Sequence, residues 1–498
     1  MRTRVFLRCD GGTHIGMGHV MRCLALGSTL REHFTIQFLI QETDPAVYSW
    51  ITSEGFGYTV LERAADETAD ITQILHALKQ EGRENDTVVL DGYHFRTLHQ
   101  QTLKDHGFVV VAIDDLHAWP HVANAIINHA PSIMPQAYTV AEGTRLLLGL
   151  DYVLLRPEFM AASRIERSIQ APTSFLISMG AADEHNCSLF FARLLIKNYP
   201  DAVVHILVSS LNPHYAELTA FIAEHTTRAV IHHNLGTEPL VGLLLQTDVV
   251  ICPASTISLE TCAAGCTLIT GFTAPNQLGI LSGLEQTRSA FSLGSFQSLT
   301  EEHALARIDA WLKHAQARKE QLHNQRRLID GRSGLRLSCV FMELARNVSV
   351  RHATMADAQL YFHWANDAAV RANSFQSETI QWQDHASWFE RTLASADNML
   401  LLYSIGSAAV AQIRLKLELN KAIISYSVDV RFRGQGLGTW ILEHIALRVA
   451  ADKPQLNCIE GWVKKTNASS VRAFIASGYT NADETEDSIL FWRKLTAH

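Results

Sequence analysis

The chain has 498 residues, of which 47% are hydrophobic and 18% charged, and its formal net charge is −8. This length allows roughly two to four globular domains, each with its own core. The sequence has no basic block or stripe, which argues against nucleic acid as the main ligand. It also lacks an apolar run of about 18 residues, so we expect no membrane span. The apolar start of the chain is too short for a signal peptide, and we therefore expect a cytoplasmic protein.

Eight cysteines are scattered along the chain, and Cys262 and Cys266 alone lie close together, at helical spacing. No C-x-x-C pair occurs in the sequence. This pattern is typical of buried free thiols in a reducing compartment rather than of a disulfide framework or a metal site. We therefore expect no bound metal.

The first part of the sequence alternates short apolar runs with helical patterns, which predicts a parallel sheet covered by helices on both faces. Candidate helices are His19–Glu32 and Ile71–Glu81. The runs that we interpret as strands are Val5–Leu7, Thr35–Leu39, Thr87–Leu90, Val109–Ile113 and Ala125–Ile127. We predict an α/β, Rossmann-like, doubly wound domain over residues 1–156.

The second part repeats this pattern, with candidate helices at Asn186–Asn198 and Ser258–Ala264. Its predicted strands are Thr173–Ser178, Ala202–Val208, Ala229–His232, Val249–Cys252 and Thr267–Thr270. We predict a second Rossmann-like, doubly wound domain over residues 157–345, and two such domains in tandem usually bind their ligand in the cleft between them. The polar helical stretch Glu301–Arg327 is most simply a solvated surface helix.

The third part has a different order of elements, which predicts an α+β domain over residues 348–498. A strand and two helical stretches come first, followed by apolar strands and then by a glycine-rich turn that opens a helix. In chain order these elements are Ser349–Arg351, Asp357–Asp367, Gln383–Ala394, Met399–Ser404, Ala409–Lys416, Ala422–Asp429 and Leu437–Ala450.

Polar residues follow several predicted strands of the first two domains, where open α/β sheets bind their ligands. Gly16-Met17-Gly18-His19 leads into the first helix, and an imidazole there titrates near neutrality without special help. A helix-capping histidine in a tight turn is the alternative for His19. The other polar segments jointly favour a site over single caps or turns; they are Arg8-Cys9-Asp10, Asp91-Gly92-Tyr93, Asp114-Asp115, Ser178–Asp183, Pro253–Thr256 with Glu260, and Asn276-Gln277.

These motifs resemble those of the UDP-2,4-diacetamido-2,4,6-trideoxy-β-L-altropyranose hydrolases of pseudaminic acid biosynthesis, over the first 345 or so residues. Arg22, Leu154–Phe159 and Asp330-Gly331-Arg332 add to the likeness. That family is similar to the GT-B glycosyltransferases, particularly the peptidoglycan one that uses UDP-N-acetylglucosamine. The resemblance implies a GT-B-like fold, with UDP mainly on the second domain. Where related sequences often have Gly-Gly before the UDP-facing helix, this chain has Pro253-Ala254-Ser255.

The resemblance also implies roles for individual residues. His19 and Tyr93 are the predicted catalytic residues, with His19 orienting or deprotonating the attacking water. Helix N-termini and backbone N–H groups after Ser255 and Gly180 are predicted to hold the departing phosphates. The predicted substrate-binding residues of this region are Arg8, Asp10, Gly16, Gly18, Arg22, Asp91, Gly180, Ser255, Thr256, Glu260, Asn276 and Gln277.

A second glycine-rich turn, Arg433–Gly438, lies between a predicted strand and an amphipathic helix, and Asn467 follows further on. With Phe474 and Gly478-Tyr479 this pattern resembles the GNAT acetyltransferases over about 150 residues. The resemblance implies acetyl-CoA as co-substrate, with its pyrophosphate on the backbone N–H groups of the turn. It also implies that a backbone N–H near Ser427–Val430 polarises the thioester. The predicted cofactor-binding residues are Val428, Val430, Arg433, Gly434, Gln435, Gly436, Leu437, Gly438 and Asn467.

The start of this third domain resembles the amino-sugar N-acetyltransferases, in particular those that acetylate the 4-amine of UDP-4-amino-4,6-dideoxy-N-acetyl-β-L-altrosamine. The resemblance is carried by Arg351, Trp364–Asp367, Arg371, Ser374-Phe375 and His385–Phe389. Trp364 and Asn366 are predicted to bind substrate, and core packing is the alternative for Trp364 and for Trp388. GNAT enzymes often have a tyrosine where this chain has Phe474, which cannot protonate the CoA thiolate. Water or Tyr479 is the expected replacement.

Taken together, the two resemblances predict a bifunctional enzyme that acetylates a UDP-amino sugar and hydrolyses the product to free sugar and UDP. Its expected partners are these sugar nucleotides and acetyl-CoA, with no nucleic acid, and self-association is left open. The alternatives are a GT-B glycosyltransferase with a sugar acceptor, an acetyltransferase for another amine, and a third domain that senses acetyl-CoA without transferring its acetyl group.

Overall fold

The computed structural model describes residues 3–12, 17–180, 183–209, 212–225 and 228–495, except for the side chain of Ala46. The chain forms two compact units, one up to Leu337 and one from Ser338 onward. The first unit contains two parallel sheets, and the second contains a mainly antiparallel sheet. The predicted mixed α/β class is confirmed. No helix in the described ranges is long and apolar enough to cross a bilayer.

The first sheet consists of seven parallel strands whose central members are buried on both faces. The strands are β1 (Arg4–Cys9), β2 (Thr35–Gln41), β3 (Gly57–Leu61), β4 (Thr87–Asp91), β5 (Val109–Ile113), β6 (Ala125–Asn128) and β7 (Arg145–Leu148), and the helices are α1 (Gly18–Leu30), α2 (Pro45–Ser53), α3 (Glu67–Glu81) and α4 (Thr97–Asp105). Their order is β3-β2-β1-β4-β5-β6-β7. The order reverses between β1 and β4, and such a switch point opens a crevice at the carboxyl ends of the two strands.

The strands β3 and β7 are absent from the sequence-based prediction because they lie at the two edges of the sheet. Four of the five residues of β3 are exposed or half-buried. An edge strand of this kind needs no continuous apolar run, whereas the buried strands β4 and β5 read as uninterrupted β-branched segments. The central strands are therefore recognisable from composition, and the edges are not.

The second sheet has six parallel strands in the order β10-β9-β8-β11-β12-β13. The strands are β8 (Ser174–Ser178), β9 (Val203–Val208), β10 (Ala229–His233), β11 (Val249–Pro253), β12 (Thr267–Phe272) and β13 (Phe291–Ser295). The helices are α5 (Pro157–Ala162), α6 (Cys187–Asn198), α7 (Tyr215–Ala223), α8 (Thr237–Gln246), α9 (Thr256–Ala264), α10 (Leu278–Gln286), α11 (Glu301–Lys313) and α12 (Ala315–Leu328). The next helix, α13 (Ser333–Ala345), begins in the first unit and ends in the second. Apolar cores cover both faces of this sheet. Its switch point lies between β8 and β11 and faces the start of α9.

The polar stretch that the sequence predicts as one solvated helix is two helices, α11 and α12, and one face of α12 is buried. Arg318, Gln321 and Gln325 are all at most 2% exposed. The amide of Gln321 donates to the carbonyl of Leu268 at 2.8 Å, next to the inner strands of the sheet. The prediction of a solvated helix is wrong for this face, because long polar side chains there satisfy buried backbone groups rather than water.

The third sheet has seven strands in the order β14-β15-β16-β17-β18-β20-β19. The strands are β14 (Val348–His352), β15 (Asn398–Ile405), β16 (Ala408–Leu417), β17 (Lys421–Val428), β18 (Cys458–Lys464), β19 (Thr480–Glu484) and β20 (Ser488–Lys494), and the helices are α14 (Ala358–Ala365), α15 (Ala368–Asn373), α16 (Trp382–Ala394), α17 (Leu437–Asp452) and α18 (Ala468–Ala476). Only β17 and β18 pair in parallel in this sheet, among the residues that the structure describes.

The parallel pair β17 and β18 is joined over a short length only. Pairing covers Lys421–Ile423 against Cys458–Glu460. Both strands continue beyond these residues, β17 to Val428 and β18 to Lys464. The two strands therefore splay apart, and backbone groups in the second half of β17 face an opening instead of a neighbouring strand.

Candidate active sites

At the switch point of the first sheet, a histidine and an aspartate form a buried pair. His19 lies in the first turn of α1, and Asp91 is the last residue of β4. Their Nδ1 and Oδ1 atoms are 2.7 Å apart, and the two residues are 5% and 0% exposed. An Nη of Arg22, which can only donate, lies 2.9 Å from the same Nδ1. In the tautomer whose Nδ1–H donates to Asp91, the lone pair of Nε2 remains for another donor. That tautomer is the one that a general base requires.

Arg22, one turn after His19, ties the pair to a second carboxylate. Its guanidinium donates to both oxygens of Asp91, at 2.7 and 3.1 Å, and to both oxygens of Asp115, at 2.6 and 2.8 Å. Burial opposes the charge, but Asp91 and Asp115 raise the pKa of Arg22 well above its ordinary value. Burial also acts against ionisation of Asp115, yet Arg22 holds the pKa of that carboxyl below its usual range. Arg22 and Asp115 therefore stay charged, and the two hydrogen bonds from Arg22 fix the orientation of Asp91.

Tyr93 lies at the mouth of this crevice. Its ring is 42% exposed and meets the His19 imidazole edge-on, with centroids 4.8 Å apart. A Cβ atom at Gly92 would lie 2.9 Å from the Phe95 ring, so a side chain there would have to displace that ring. Gly18 begins α1 in open space, and Gly16 lies outside the described residues.

A second buried network fixes Asp10, which follows β1. Arg8 is fully buried and donates to Asp10 at 2.5 Å and to Asp70 at 2.8 Å. The imidazole of His94 lies 3.6 Å from the other oxygen of Asp10. Arg8 therefore has no surface with which to touch a ligand, and it positions Asp10. Asp70 and His94 escape sequence reasoning, because a carboxylate in a helix and a histidine in a loop are ordinary surface residues until the fold brings them together.

His129, directly after β6, is another residue of this edge that the sequence does not single out. It is 5% exposed, and its Nδ1 accepts a hydrogen bond from the backbone N–H of Leu154 at 3.2 Å. Burial and the nearby charge of Arg22 lower the pKa of His129 to about 4. This imidazole is therefore neutral at physiological pH and serves as a hydrogen-bonding group rather than as a charge.

The buried neutral state of His129 predicts a loss of stability in mild acid. In the unfolded chain the group titrates near 6.5, so only the unfolded state takes up a proton as the pH falls from about 6.5 towards 4. Between pH 7.5 and pH 5, the free energy of unfolding of the parent should therefore fall by about 2 kcal/mol more than that of His129→Asn. Urea unfolding at the two pH values measures this. His106→Asn, at an exposed position, is the control and should lose as much unfolding free energy as the parent. An equal loss in His129→Asn and the parent would contradict the prediction.

In the second sheet, the start of α9 lies at the carboxyl end of β11 and is open to an anion. Its cap residue Ser255 makes no side-chain capping bond, and Thr256 begins the helix. One turn further on, Glu260 receives a hydrogen bond from Arg156 at 3.1 Å. Burial raises the pKa of Glu260 although Arg156 opposes this. The structure thus brings Ser255, Thr256 and Glu260 together, and Arg156 joins them although it is absent from the predicted site.

The start of α6 is different, because the chain supplies its own anion there. The carboxylate of Asp183 accepts from the N–H groups of Cys187 and Ser188, at 2.8 and 2.9 Å. Gly180, which follows β8, has a left-handed φ of 85°. The sequence predicts that helical N–H groups after Gly180 bind phosphate. In the structure, Asp183 already accepts hydrogen bonds from the first N–H groups of α6.

Asn276 and Gln277 lie in the turn that connects β12 to α10. Gln277 accepts a hydrogen bond from the backbone of Thr273 at 2.8 Å, so it shapes its own loop. Asn276 is exposed. Gln277 therefore stabilises its own loop, and of these two predicted residues it is Asn276 whose side chain faces solvent.

The second unit contains a cavity of about 640 Å³ at the splay between β17 and β18. The N-terminal ends of α17 and α18 close it on another side. Seven of the nine predicted cofactor-binding residues line it: Val428, Arg433, Gly434, Gly436, Leu437, Gly438 and Asn467. Val430 and Gln435 do not; Val430 is 64% exposed, and the amide of Gln435 donates to the carbonyl of Arg431.

The glycine-rich turn before α17 is shaped to bind an anion. Gly434 and Gly436 have φ values of 78° and 75°, a region that side chains rarely tolerate. Gly436 caps α17, and no side chain occupies that helix terminus. The first N–H groups of a helix of 16 residues thus face the cavity, which suits a diphosphate.

Arg433 braces this turn rather than reaching into it. Its Nε donates to the carbonyl of Val428, and an Nη donates to Asp367, both at 2.9 Å. Asn467 caps α18 by accepting from the N–H of Ser470 at 3.2 Å. The two side chains hold the two helix starts in place around the cavity.

Trp364 and Asn366, predicted to bind substrate, have packing contacts and do not line the cavity. Trp364 is 6% exposed in an aromatic core, and its indole donates to Asp429 at 2.9 Å. Asn366 exchanges two hydrogen bonds with the backbone of Ile380. Both residues shape the wall beside the cavity.

Comparison with known proteins agrees with this geometry. Residues 347–480 match the family of acetyltransferase (GNAT) domains. The chain therefore contains a GNAT acetyltransferase domain. This match supports acetyl-CoA as the ligand of the second unit. The described residues contain no group of three or more histidines, cysteines or carboxylates that could hold a metal.

The chain is also similar to curated proteins of sugar metabolism. Over 261 residues, 52% of this chain and 87% of the relative, it is 25% identical to the UDP-2,4-diacetamido-2,4,6-trideoxy-beta-L-altropyranose hydrolase of Campylobacter jejuni subsp. jejuni serotype O:2. Over 339 residues, 67% of this chain and 96% of the relative, it is 20% identical to the spore coat polysaccharide biosynthesis protein SpsG of Bacillus subtilis (strain 168). The N-terminal region is thus similar to a sugar-nucleotide hydrolase.

Among solved structures, the chain is similar to an aminoglycoside acetyltransferase in complex with coenzyme A and kanamycin. The two are 14% identical, and the match covers 30% of this chain and 96% of that one, with a TM-score of 0.28.

Within the GNAT domain, the phenol nearest the cavity is Tyr426 of β17. Phe474 is 2% exposed, and the hydroxyl of Tyr479 donates to the carbonyl of Leu442, away from the cavity lining. Tyr426 lines the cavity, and its hydroxyl lies 3.3 Å from the Ser470 hydroxyl. Burial raises the pKa of Tyr426, which keeps the phenol protonated. The sequence signal was its place in the alternating strand, on the same face as Ile424 and Val428.

Proposed function

We propose that this chain is a bifunctional enzyme of UDP-amino-sugar metabolism. Its first unit hydrolyses UDP-2,4-diacetamido-2,4,6-trideoxy-β-L-altropyranose to free sugar and UDP. Its GNAT domain acetylates the 4-amine of the preceding UDP-4-amino sugar with acetyl-CoA. The observation that carries the hydrolase half is the buried His19–Asp91 pair at the switch point. We further propose a GT-B arrangement of domains 1–156 and 157–345, followed by the acetyltransferase over 348–498.

The hydrolytic step needs one activated water and a place for the leaving diphosphate. Nε2 of His19 accepts a proton from water as the water oxygen bonds to the anomeric carbon. The bond from that carbon to the UDP oxygen breaks, and its electron pair leaves with UDP. Asp91 stabilises the imidazolium that forms, in the way that a carboxylate supports a general base. Tyr93 lies beside the imidazole and faces the entrance, where the sugar would be held.

The diphosphate is best placed at the start of α9. The N–H groups of Cys187 and Ser188 at the start of α6 already bond the Asp183 carboxylate, whereas the start of α9 has no side-chain cap. A second anion at α6 would be repelled by that carboxylate. Binding at α9 also brings the nucleotide close to Glu260 and Arg156, whose buried pair offers an acceptor to sugar hydroxyls.

The acetyl transfer uses the cavity at the splayed strands. The amine nitrogen attacks the thioester carbon, whose oxygen is polarised by a backbone N–H near the end of β17. The carbon–sulfur bond then breaks, and the electron pair goes to sulfur. The products are the amide and CoA, with the proton lost by nitrogen balanced by the proton gained by sulfur. We propose that the Tyr426 hydroxyl delivers the latter proton, in place of the tyrosine that Phe474 replaces.

Removing the Tyr426 hydroxyl should slow acetylation without weakening acetyl-CoA binding. General acids typically contribute about 10²–10⁴-fold, and a thiolate is a good leaving group, so we expect Tyr426→Phe to lower kcat by about 10²-fold. Release of the CoA thiol measures the rate, and calorimetry measures acetyl-CoA affinity. Tyr479→Phe is the matched control, because it removes a phenol outside the cavity. A Tyr426→Phe rate within twofold of the parent would remove this residue from the chemistry.

One experiment tests both halves of the proposal. The full chain is incubated with the UDP-4-amino sugar and acetyl-CoA, each component is omitted in turn, and all products are identified by mass spectrometry. Acetylated sugar and UDP together support the proposal. A glycoside formed with an added sugar acceptor would indicate a glycosyltransferase instead. Binding of acetyl-CoA without thiol release would make the GNAT domain a sensor.

A further inference from the structure

The described lining of the GNAT cavity offers no side chain that could remove a proton from an amine. The ionisable side chains in its described lining are Tyr426, Arg433, Lys464 and Arg472. Three of these side chains are hydrogen-bond donors without an acceptor atom, and burial raises the pKa of the fourth, the Tyr426 phenol. No carboxylate and no imidazole belongs to that described lining.

Asp429 lies just beyond the end of β17, but its oxygens are already bonded. One oxygen accepts from the backbone N–H and the Nε of Arg431, both at 2.9 Å. The other accepts from the Trp364 indole at 2.9 Å and from an Nη of Arg431 at 3.1 Å. The hydrogen bonds from Arg431 hold the pKa of Asp429 well below its usual range. This carboxylate is a weak base.

Asp367 is bound in a similar way on the other side of the glycine-rich turn. It accepts from Arg433 at 2.9 Å and from the N–H groups of Ala369 and Val370 at 3.1 Å. Burial acts in the opposite direction, but these hydrogen bonds lower the pKa of Asp367. All three bonds fall on one oxygen of Asp367, and Asp367 is absent from the described cavity lining. Both carboxylates are therefore weak bases.

The histidines of the neighbouring elements do not supply the base either. His385 of α16 is 2% exposed, and its Nε2 bonds the carbonyl of Ala358. His444 of α17 is fully buried between Glu343 and the Tyr403 hydroxyl. His363 of α14 is exposed, and it is absent from the cavity lining that the structure describes.

We propose that the GNAT domain acts on amines of low basicity, whose neutral form is readily available near pH 7, such as an amine on a sugar ring, and discriminates against alkylamines such as lysine or a polyamine. The inference rests on the proposed acetyl transfer and names the class of acceptor for it. Only the neutral amine has a lone pair for attack. Without a base in the cavity, the neutral fraction must come from the low basicity of the acceptor itself, which oxygen substituents on neighbouring carbons provide.

The charges at the cavity act in the same direction. Lys464 and Arg472 line it, and no described carboxylate lies there to attract a cation. A polyamine brings positive charge to a positive cavity, whereas a nucleotide-linked amine brings negative charge. At pH 7, an amine with a pKa near 7.8 is neutral about 300 times more often than a lysine amine with a pKa near 10.4.

The test is the pH dependence of acetylation by the full chain. Release of the CoA thiol is followed from pH 6 to pH 10 with UDP-4-amino-4,6-dideoxy-N-acetyl-β-L-altrosamine and with N-α-acetyl-lysine amide. The pKa of the sugar amine free in solution is measured by NMR titration. We expect kcat/KM for the sugar nucleotide to rise tenfold per pH unit and to level off at that pKa. Asp429→Asn and Asp367→Asn should leave this midpoint unchanged.

Acetylation of the lysine derivative at pH 7 should be slower by about 300-fold, the ratio of the two neutral fractions. If the midpoint of the pH profile lies below the pKa of the free amine and moves in either asparagine variant, a protein group acts as the base. That result would overturn the inference but not the proposed acetyl transfer. Lysine acetylation within tenfold of the sugar nucleotide at pH 7 would also overturn it. Absence of thiol release with every amine at every pH would instead refute the proposed acetyl transfer, and the inference with it.

Discussion

Replacing His19 by alanine is expected to lower kcat for UDP release from the sugar nucleotide by at least about 10²-fold and to change KM by no more than a few-fold. The imidazole is the group that accepts the proton of the attacking water in the proposed mechanism. Its removal therefore affects the transition state more than the bound substrate. Coupled detection of UDP gives the rate, and calorimetry with the substrate gives the affinity.

His76→Ala is the matched control, because His76 lies on the exposed face of α3 and bonds only the nearby Gln80 among its described contacts. Asp91→Asn provides a graded test. It keeps a hydrogen-bond acceptor beside Nδ1 but removes the charge that stabilises the imidazolium, so its kcat should fall between those of the parent and of His19→Ala. A His19→Ala enzyme within a few-fold of the parent would remove this histidine from the mechanism.

The second large effect is expected at the acetyl-CoA site. Gly436→Val should weaken acetyl-CoA binding at least about 30-fold, because φ at this position is 75° and a side chain there costs roughly 1–2 kcal/mol before any contact is lost. The strain is relieved by moving the turn, and the N–H groups at the start of α17 then lose their alignment. Calorimetry with acetyl-CoA measures the affinity.

Gly406→Val controls for strain alone. Gly406 has a φ of 56° in the turn between β15 and β16, and a Cβ there meets open space. This variant should lower the melting temperature to a similar extent and leave acetyl-CoA affinity within twofold. Equal losses of affinity in the two variants would show that the effect is general destabilisation, and the N–H groups of the α17 turn would then have no special role.

The sequence predicts the central strands well because each is a continuous apolar run that both faces of a parallel sheet bury. It also predicts that His19 and Asp91 approach each other, since both follow strands that end at the same edge. It cannot predict β3, whose residues are mostly exposed, or the buried face of α12, where glutamines replace the expected apolar stripe. Those features depend on neighbours that are distant in the chain.

The same reasoning explains which site residues are missed. Asp70 is recognised as a site residue only by its contact with Arg8, and His94 only by its contact with Asp10. His129 is recognised only by its proximity to Arg22 and its bond to Leu154. Local pattern says nothing about such contacts, because one residue of each set lies dozens of positions from the others. The occupied start of α6 is a similar case: Asp183 is visible in the sequence as a polar turn residue, but its bonds to Cys187 and Ser188 are a matter of backbone geometry.

The short pairing of β17 with β18 has a consequence for how the acetyltransferase fold holds together. Three residue pairs join the two halves of its sheet. Beyond these pairs, β17 and β18 are not hydrogen-bonded to each other. A pantetheine chain that bonds the free peptide groups of β17 would take the place of a strand between them. Acetyl-CoA would then stabilise the sheet as well as react. Without it, the least stable part of the domain would be the gap between β17 and β18, where the acetyl group is transferred.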